Sequence, residues 1–140
     1  MTYALSWPLQ KAVYAALIAD PAVSVLSGGR IHDAPPHAAT QTEPGAIYVT
    51  LGEETVRPFE SADHRGGAHD FAVTVHSGAS GFGLAKELAG AICDALIDRP
   101  LPMSRGHLVA LRFLGGQAQR GRPADRRRIT LRFRALVEDG

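Results

Sequence analysis

The residues between Gly78 and Gly83 read G-A-S-G-F-G, joining an apolar run to a helical one. If this chain handled phosphate, that turn would hold it. A phosphate loop needs Lys and then Ser or Thr directly after its last glycine, to reach the outer phosphates and their magnesium. Leu84 and Ala85 occupy those places, and Lys86 comes two residues late. The dinucleotide fingerprint also fails, because Gly81 and Gly83 are not followed by the third glycine. A nucleophile elbow would need glycine two residues after Ser80, where Phe82 stands. No local signature gives Ser77 or Ser80 a base, so the turn reads as a plain strand-to-helix connection.

The histidines give no metal site. His32 with Asp33 and His37, and His64 with His69, lie in or beside predicted loops, without the i, i+4 or i, i+2 pairing of a preformed site. They are expected on the surface, and His76 on the outer face of a strand, facing solvent or a subunit. The single cysteine, Cys93, excludes an internal disulfide and a thiolate cluster; it is expected as a buried structural thiol. The sequence therefore predicts no catalytic residue, no cofactor and no metal.

One cluster stands out. Arg120, Arg122, Arg126, Arg127 and Arg128 crowd a short stretch, and Arg132 and Arg134 continue on alternate positions. Three readings fit: a solvated face, ion pairing with a neighbouring subunit, and contact with nucleic-acid phosphates. Glu53, Glu54, Glu60 and Asp63 are acidic candidates for the second reading.

The elements that must position these groups follow from periodicity. Ser6–Ala19 reads as a helix, with Leu9, Val13, Ala16 and Leu17 at helical spacing, Ser6 as a cap and Asp20-Pro21 as the stop. A short helical turn over 23–26 ends at Gly28-Gly29, and the Pro-rich stretch 30–45 reads as an irregular excursion. Residues 46–52 (A-I-Y-V-T-L-G) alternate as a strand, with Ile47, Val49 and Leu51 on one face and Tyr48 and Thr50 on the other. A long polar loop over 53–67 precedes a second strand, 69–77. Residues 80–97 form a helix capped by Ser80, with Leu84, Leu88, Ala91, Ile92, Ala95 and Leu96 in one stripe. Strands over 107–114 and 128–137 follow, joined through a basic loop over 117–127. Ile129, Leu131, Phe133, Ala135 and Val137 face the core. The prediction is α+β: a four-stranded, largely antiparallel sheet of two hairpins, with an N-terminal and a central helix on one face.

At 140 residues the chain fits one domain, since two halves would each bury too little core. It is 45% hydrophobic and 21% charged, as soluble globular proteins are, and only 6% aromatic, so its core must be aliphatic. A net charge of +1 gives no strong overall pull toward nucleic acid or membrane. The N-terminal M-T-Y-A-L-S-W-P lacks the pattern of a signal peptide, and no apolar stretch approaches the roughly 20 residues of a membrane span. The expectation is a protein intracellular where it is made, with no membrane partner.

Taken together, the N-terminal helix with Asp20-Pro21, the run L-S-G-G-R-I-H-D-A-P from Leu26 to Pro35, the strand I-Y-V-T-L-G, the strand ending in His76-Ser77, the glycine-bearing turn and the helix through Ile97 resemble a known family. The resemblance is to the tail terminator, or tail-completion, proteins of long non-contractile-tailed phages and gene transfer agents, and it spans nearly the whole chain in element order. It implies an α+β structural subunit with no active site that caps the tail tube as a homo-oligomeric, usually hexameric ring. Such a ring stops polymerisation of the tail tube protein and meets the head-side connector, with DNA passing through the lumen without specific binding. It also implies assembly in the bacterial cytoplasm and a final place at the head–tail junction of the particle. The acidic and basic stretches, 53–67 and 117–127, would then be subunit contacts or lumen-lining loops. Another head–tail connector, or a nucleic-acid-binding module using the arginines, are the alternatives.

Overall fold

Asp20 is extended, as a residue before proline must be, and its carboxylate accepts a hydrogen bond from the Val23 amide at 3.0 Å. One residue thus ends one helix and caps the next, while Pro21 takes a first-turn place that needs no amide. In the computed structural model, which describes residues 3–33, 47–60, 65–78, 82–120 and 126–139, α1 is Ser6–Ala19 and α2 is Pro21–Ser27. The two are bent by 83°. Gly28 closes α2 in the left-handed conformation at φ 63°. Among the described residues no single helix is long and apolar enough to cross a membrane.

Five strands follow the predicted α+β pattern: β1 (Ile31–His32), β2 (Ile47–Glu60), β3 (Arg65–Ser77), β4 (His107–Arg120) and β5 (Arg127–Glu138). A third helix, α3 (Gly83–Leu96), lies between β3 and β4. The sheet runs β1-β2-β3-β5-β4, parallel between β1 and β2 and antiparallel elsewhere. The strand beyond the four predicted is β1. Two residues carry no periodicity, and only pairing defines this strand, through the Val49 amide donating to Arg30 O at 2.8 Å.

Parts of both expected long loops are strand. Residues 53–60 continue β2 against β3, and 117–120 continue β4 against β5. A single extra residue, Glu53, hides the continuation of β2. It sits in the left-handed region at φ 45° and shifts the register between Gly52 and Glu54, so the alternation read along the sequence changes phase there. Pro58 is compatible with β2 because the outer side of the strand there lacks a neighbour among the described residues.

Ile47, Val49 and Leu51 of β2, Val73 and Val75 of β3, and the predicted β5 residues Ile129, Leu131, Phe133, Ala135 and Val137 form one core with α1, α2 and α3. Leu9, Val13 and Leu17 of α1 meet it as predicted, and so do Leu88, Ile92 and Leu96 of α3. Each such side chain contributes about 1.5–3 kcal/mol by leaving water.

Several expectations need correction. Leu84 is 53% exposed in the first turn of α3, and the buried stripe runs instead through Ala85, Leu88, Ala89, Ile92, Ala95 and Leu96. Ser6 caps nothing; it is inside α1 and buried. Cys93 is half-buried, its thiol pushed up by burial and the nearby Asp94 charge. Ser80, Ala46, His37, His64 and most of the excursion over 30–45 lie outside the described residues.

Candidate functional site

The bulge at Glu53 turns Glu54 toward the helices. Glu54 stands opposite Phe71 on the core side of the sheet, and its carboxylate accepts hydrogen bonds from Tyr3 Oη at 2.6 Å and Ser6 Oγ at 2.5 Å. His69 Nδ1 lies 3.2 Å from its other oxygen. Burial pushes the Glu54 carboxyl up, but the bonds from His69, Ser6 and Tyr3 outweigh it and hold the group at about 2. His69 was expected on the surface. It is fully buried within β3, because the pairing of β3 with both β2 and β5 covers it. Tyr3, Ser6 and His69 carried no sequence signal for this role, since neither their spacing nor their types link them to Glu54.

Among the described residues no helix packs on the other face of the sheet. Register aligns its side chains in rows across four strands: Tyr48, His76, Arg128 and Gln119; then Thr50, Thr74, Thr130 and Gln117; then Gly52, Ala72, Arg132 and Gly115. Next to these, Asp70 and Arg134 pair, with Arg134 Nε at 2.7 Å and Nη2 at 2.9 Å from the two carboxylate oxygens. Arg57 approaches the same carboxylate at 3.8 Å. A depression of about 490 Å³ lies over the middle rows, and Asp33 and Glu53 line it together with Arg128 and Arg132.

His76 keeps the outward position predicted for it. It stacks on Tyr48 with ring centroids 4.5 Å apart and shares a hydrogen bond with Thr50 Oγ1 at 3.0 Å. Burial and the Arg128 charge pull its imidazole down to about 4, so it is neutral at pH 7.

The predicted acidic and basic residues are thus dispersed. Glu54 and Arg134 are engaged inside the chain, and Glu53 is exposed at the bulge. Arg120 is exposed at the end of β4, and Arg127 lies over the Phe82 ring at 5.4 Å. Arg126 precedes β5, close enough to Tyr48 for its charge to act on that phenol. Arg128 donates to Gln119 Oε1 at 2.9 Å, and Arg132 is exposed. Asp63, Arg122 and the Glu60 side chain lie outside the described residues. The two hairpin connections fall at opposite ends of the sheet, since Gly66 pairs with Glu138 and Ser77 with Arg127. Among the described residues no three His, Cys, Asp or Glu side chains are grouped as metal ligands would be.

The family model of tail completion protein gp17 matches residues 11–138. The chain belongs to the tail completion protein gp17 family. A tail-completion protein is a structural component and not an enzyme. No curated protein matches. The chain is also similar to a solved chain of the virion of a native gene transfer agent particle, with 43% identity, a TM-score of 0.86, and 98% of this chain and 99% of that chain covered.

Proposed function

We propose that this tail-completion protein is a tail terminator: a one-domain subunit that closes with its copies into a ring, hexameric as in the family it resembles, on the end of a tail tube. The ring stops the tube protein from adding further and offers its other side to the head-side connector. Its final place is the head–tail junction of a phage-like or gene-transfer-agent particle, after assembly in the bacterial cytoplasm. The likeness to a chain of a gene transfer agent virion supports that setting.

One observation carries the ring. The sheet has two edges without a neighbouring strand among the described residues, the outer side of β2 beyond β1 and the outer side of β4. Glu53 is exposed on the first, and Arg112 and Arg120 on the second. Val109, Phe113 and Leu114 are exposed on β4 as well, Val109 and Leu114 at its register shifts. Unlike edges on opposite sides of one sheet make a head-to-tail contact, and a head-to-tail contact closes into a ring when its rotation closes.

Light scattering on the purified chain with and without tail tubes tests this, with electron microscopy of the tubes. The wild type should form rings alone or on tube ends. Glu53→Arg or Arg120→Glu should each weaken assembly, and the two together should restore it. A chain that stays monomeric and leaves tube length unchanged overturns the reading.

A further inference from the structure

α1 is apolar on two faces. Leu9, Ala12, Val13 and Leu17 are buried in the core. On the opposite side Trp7, Tyr14 and Ile18 are exposed, at positions i, i+7 and i+11, and Tyr3 continues the line before the helix begins. Lys11 is the one charged residue of α1, and its Nζ lies 5.7 Å from the centre of the Trp7 ring. A helix that is apolar nearly all round is one whose faces are all covered, and within this chain only one face is. Exposures of 58% at Trp7 and 44% at Tyr14, on side chains of about 150–250 Å² each, make with Tyr3 and Ile18 a patch of roughly 400 Å². That is about half of the roughly 800 Å² that each partner brings to a standard interface.

β4 has the converse defect. α2 packs on β2, and α3 packs on β3 and β5, while β4 lies at the end of the sheet. Register puts Leu108, Leu111 and Phe113 on the core side, opposite Val137, Ala135 and Phe133. Yet Phe113 is 48% exposed, and Leu108 and Leu111 are only half-buried. Val109 is exposed at the register shift beside them. A groove of about 570 Å³ runs between β4 and the segment after α3, with Leu101 and Met103 on its other wall. The two surfaces also differ in charge. Tyr3 and Gln10, on the flank of the α1 stripe, line a depression of about 280 Å³ with Asp33 and Glu53, which sets the stripe beside the β2 edge. Those two carboxylates outnumber Lys11. Arg128 and Arg132 approach them from the other face of the sheet. Around the groove Arg99 and Arg112 outnumber Asp98, and His107 is taken up by Glu138 at 3.2 Å. Among the described residues, none of Asp33, Glu53, Arg99 and Arg112 lies within ion-pair distance of an opposite charge.

We propose that the outer face of α1 docks into the groove beside β4 of a second copy of this chain, with Trp7 as its buried anchor. This contact rests on the ring proposed above and supplies its joint. Where the β2 edge of one copy meets the β4 edge of the next, α1 completes the helix layer over the neighbour's uncovered strand. The acidic flank of α1 then meets the basic rim of the groove. Tryptophan in such a place carries a large share of an interface's binding energy.

Trp7 is the chain's single tryptophan, so its emission reports the contact directly. Light scattering and Trp7 fluorescence are followed together as the purified chain is concentrated, with acrylamide as quencher. Emission should move to shorter wavelength, and quenching should fall, as assemblies form. Trp7→Ala and Val109→Arg, both at exposed positions, should each weaken assembly by about 30-fold or more with an unchanged circular dichroism spectrum. For rings that form only on tail tubes, a bismaleimide linker is applied to the Cys93→Ser, Tyr14→Cys, Val109→Cys variant. It should give a ladder of linked copies, and neither new cysteine alone should do so. Rings with unchanged Trp7 emission and no ladder overturn the docking and leave the ring standing. Monomers under both conditions overturn the docking and the ring together. Linkage of Tyr14→Cys to its own counterpart, or to tube protein, assigns the stripe to a second α1 or to the tube, and either result overturns the proposal.

Discussion

In the β2–β3 hairpin, Glu54 holds His69, Ser6 and Tyr3, and Asp70 holds Arg134 and Arg57. In the β4–β5 hairpin, Arg112 and Arg132 reach no carboxylate among the described residues, Arg128 donates to the Gln119 amide oxygen, and β4 leaves Val109, Phe113 and Leu114 exposed. The two hairpins are of nearly equal length and share one core, so the difference is not one of fold. Charges in the first are used to fix the chain to itself. In the second, Arg134 and the His107–Glu138 pair are engaged as well, while Arg112, Arg128 and Arg132 lie within ion-pair distance of no carboxylate among the described residues. An exposed charge costs little until a partner desolvates it.

Four changes test that contrast. The largest effect should come from the core common to both hairpins. Phe133 is fully buried against Phe71 and Phe113, with ring centroids 5.6 and 5.7 Å away. Phe133→Ala should cost about 3–5 kcal/mol in denaturant unfolding, and a much smaller loss would mean that the two halves do not share a core.

Removing the internal partner in the first hairpin comes next. Glu54→Ala should cost about 1–3 kcal/mol, because it strands a buried imidazole and the Ser6 hydroxyl. Replacing Glu54 and His69 together with leucine should recover much of that loss. The same pair predicts a pH dependence. The Glu54 carboxyl lies at about 2 when folded against 4.5 when free. Its contribution is thus complete above about pH 4.5 and lost as pH falls toward 2. An acid-unfolding profile of Glu54→Gln that matched the wild type over that window would remove Glu54 from this role.

A comparable effect is expected at Gly66, where β3 passes close to the Phe59 ring. An added Cβ would meet Val137 O and approach Phe59 Cζ to 2.6 Å. Gly66→Ala should cost about 1–3 kcal/mol by this overpacking, measured by thermal unfolding. The smallest effect should be at Arg132. Arg132→Gln should leave stability within about 0.5 kcal/mol of wild type, since the exposed side chain has no ion-pair partner among the described residues to lose. A larger loss would mean that the second hairpin also uses its charges internally, and the contrast between the hairpins would fail.

Much of this was legible in the sequence. The helix stop at Asp20-Pro21, the alternation of Ile47, Val49 and Leu51, the β5 core set and the outward His76 all follow from periods of 3.6 and 2 and from proline chemistry, which act within a few residues. The α+β class and the grouping of helices on one face follow from those patterns. The resemblance to tail-completion proteins rested on their order along the chain. Only the tertiary structure decided the rest. Glu53 resets the phase of β2, so no periodic reading could carry the strand past it. β1 exists only through its pairing with Val49 and Thr50. His69 is buried because β2 and β5 flank it and Glu54 reaches it, fifteen residues away in sequence. The arginines formed a sequence cluster, but whether each is engaged or exposed depended on which strand lies alongside. Asp70 neutralises Arg134 from 64 residues away and leaves Arg132 bare. Local patterns fix which residues can be strand or helix. Pairing across the sheet fixes which charges remain for a partner, because a charge is neutralised by what folding brings beside it.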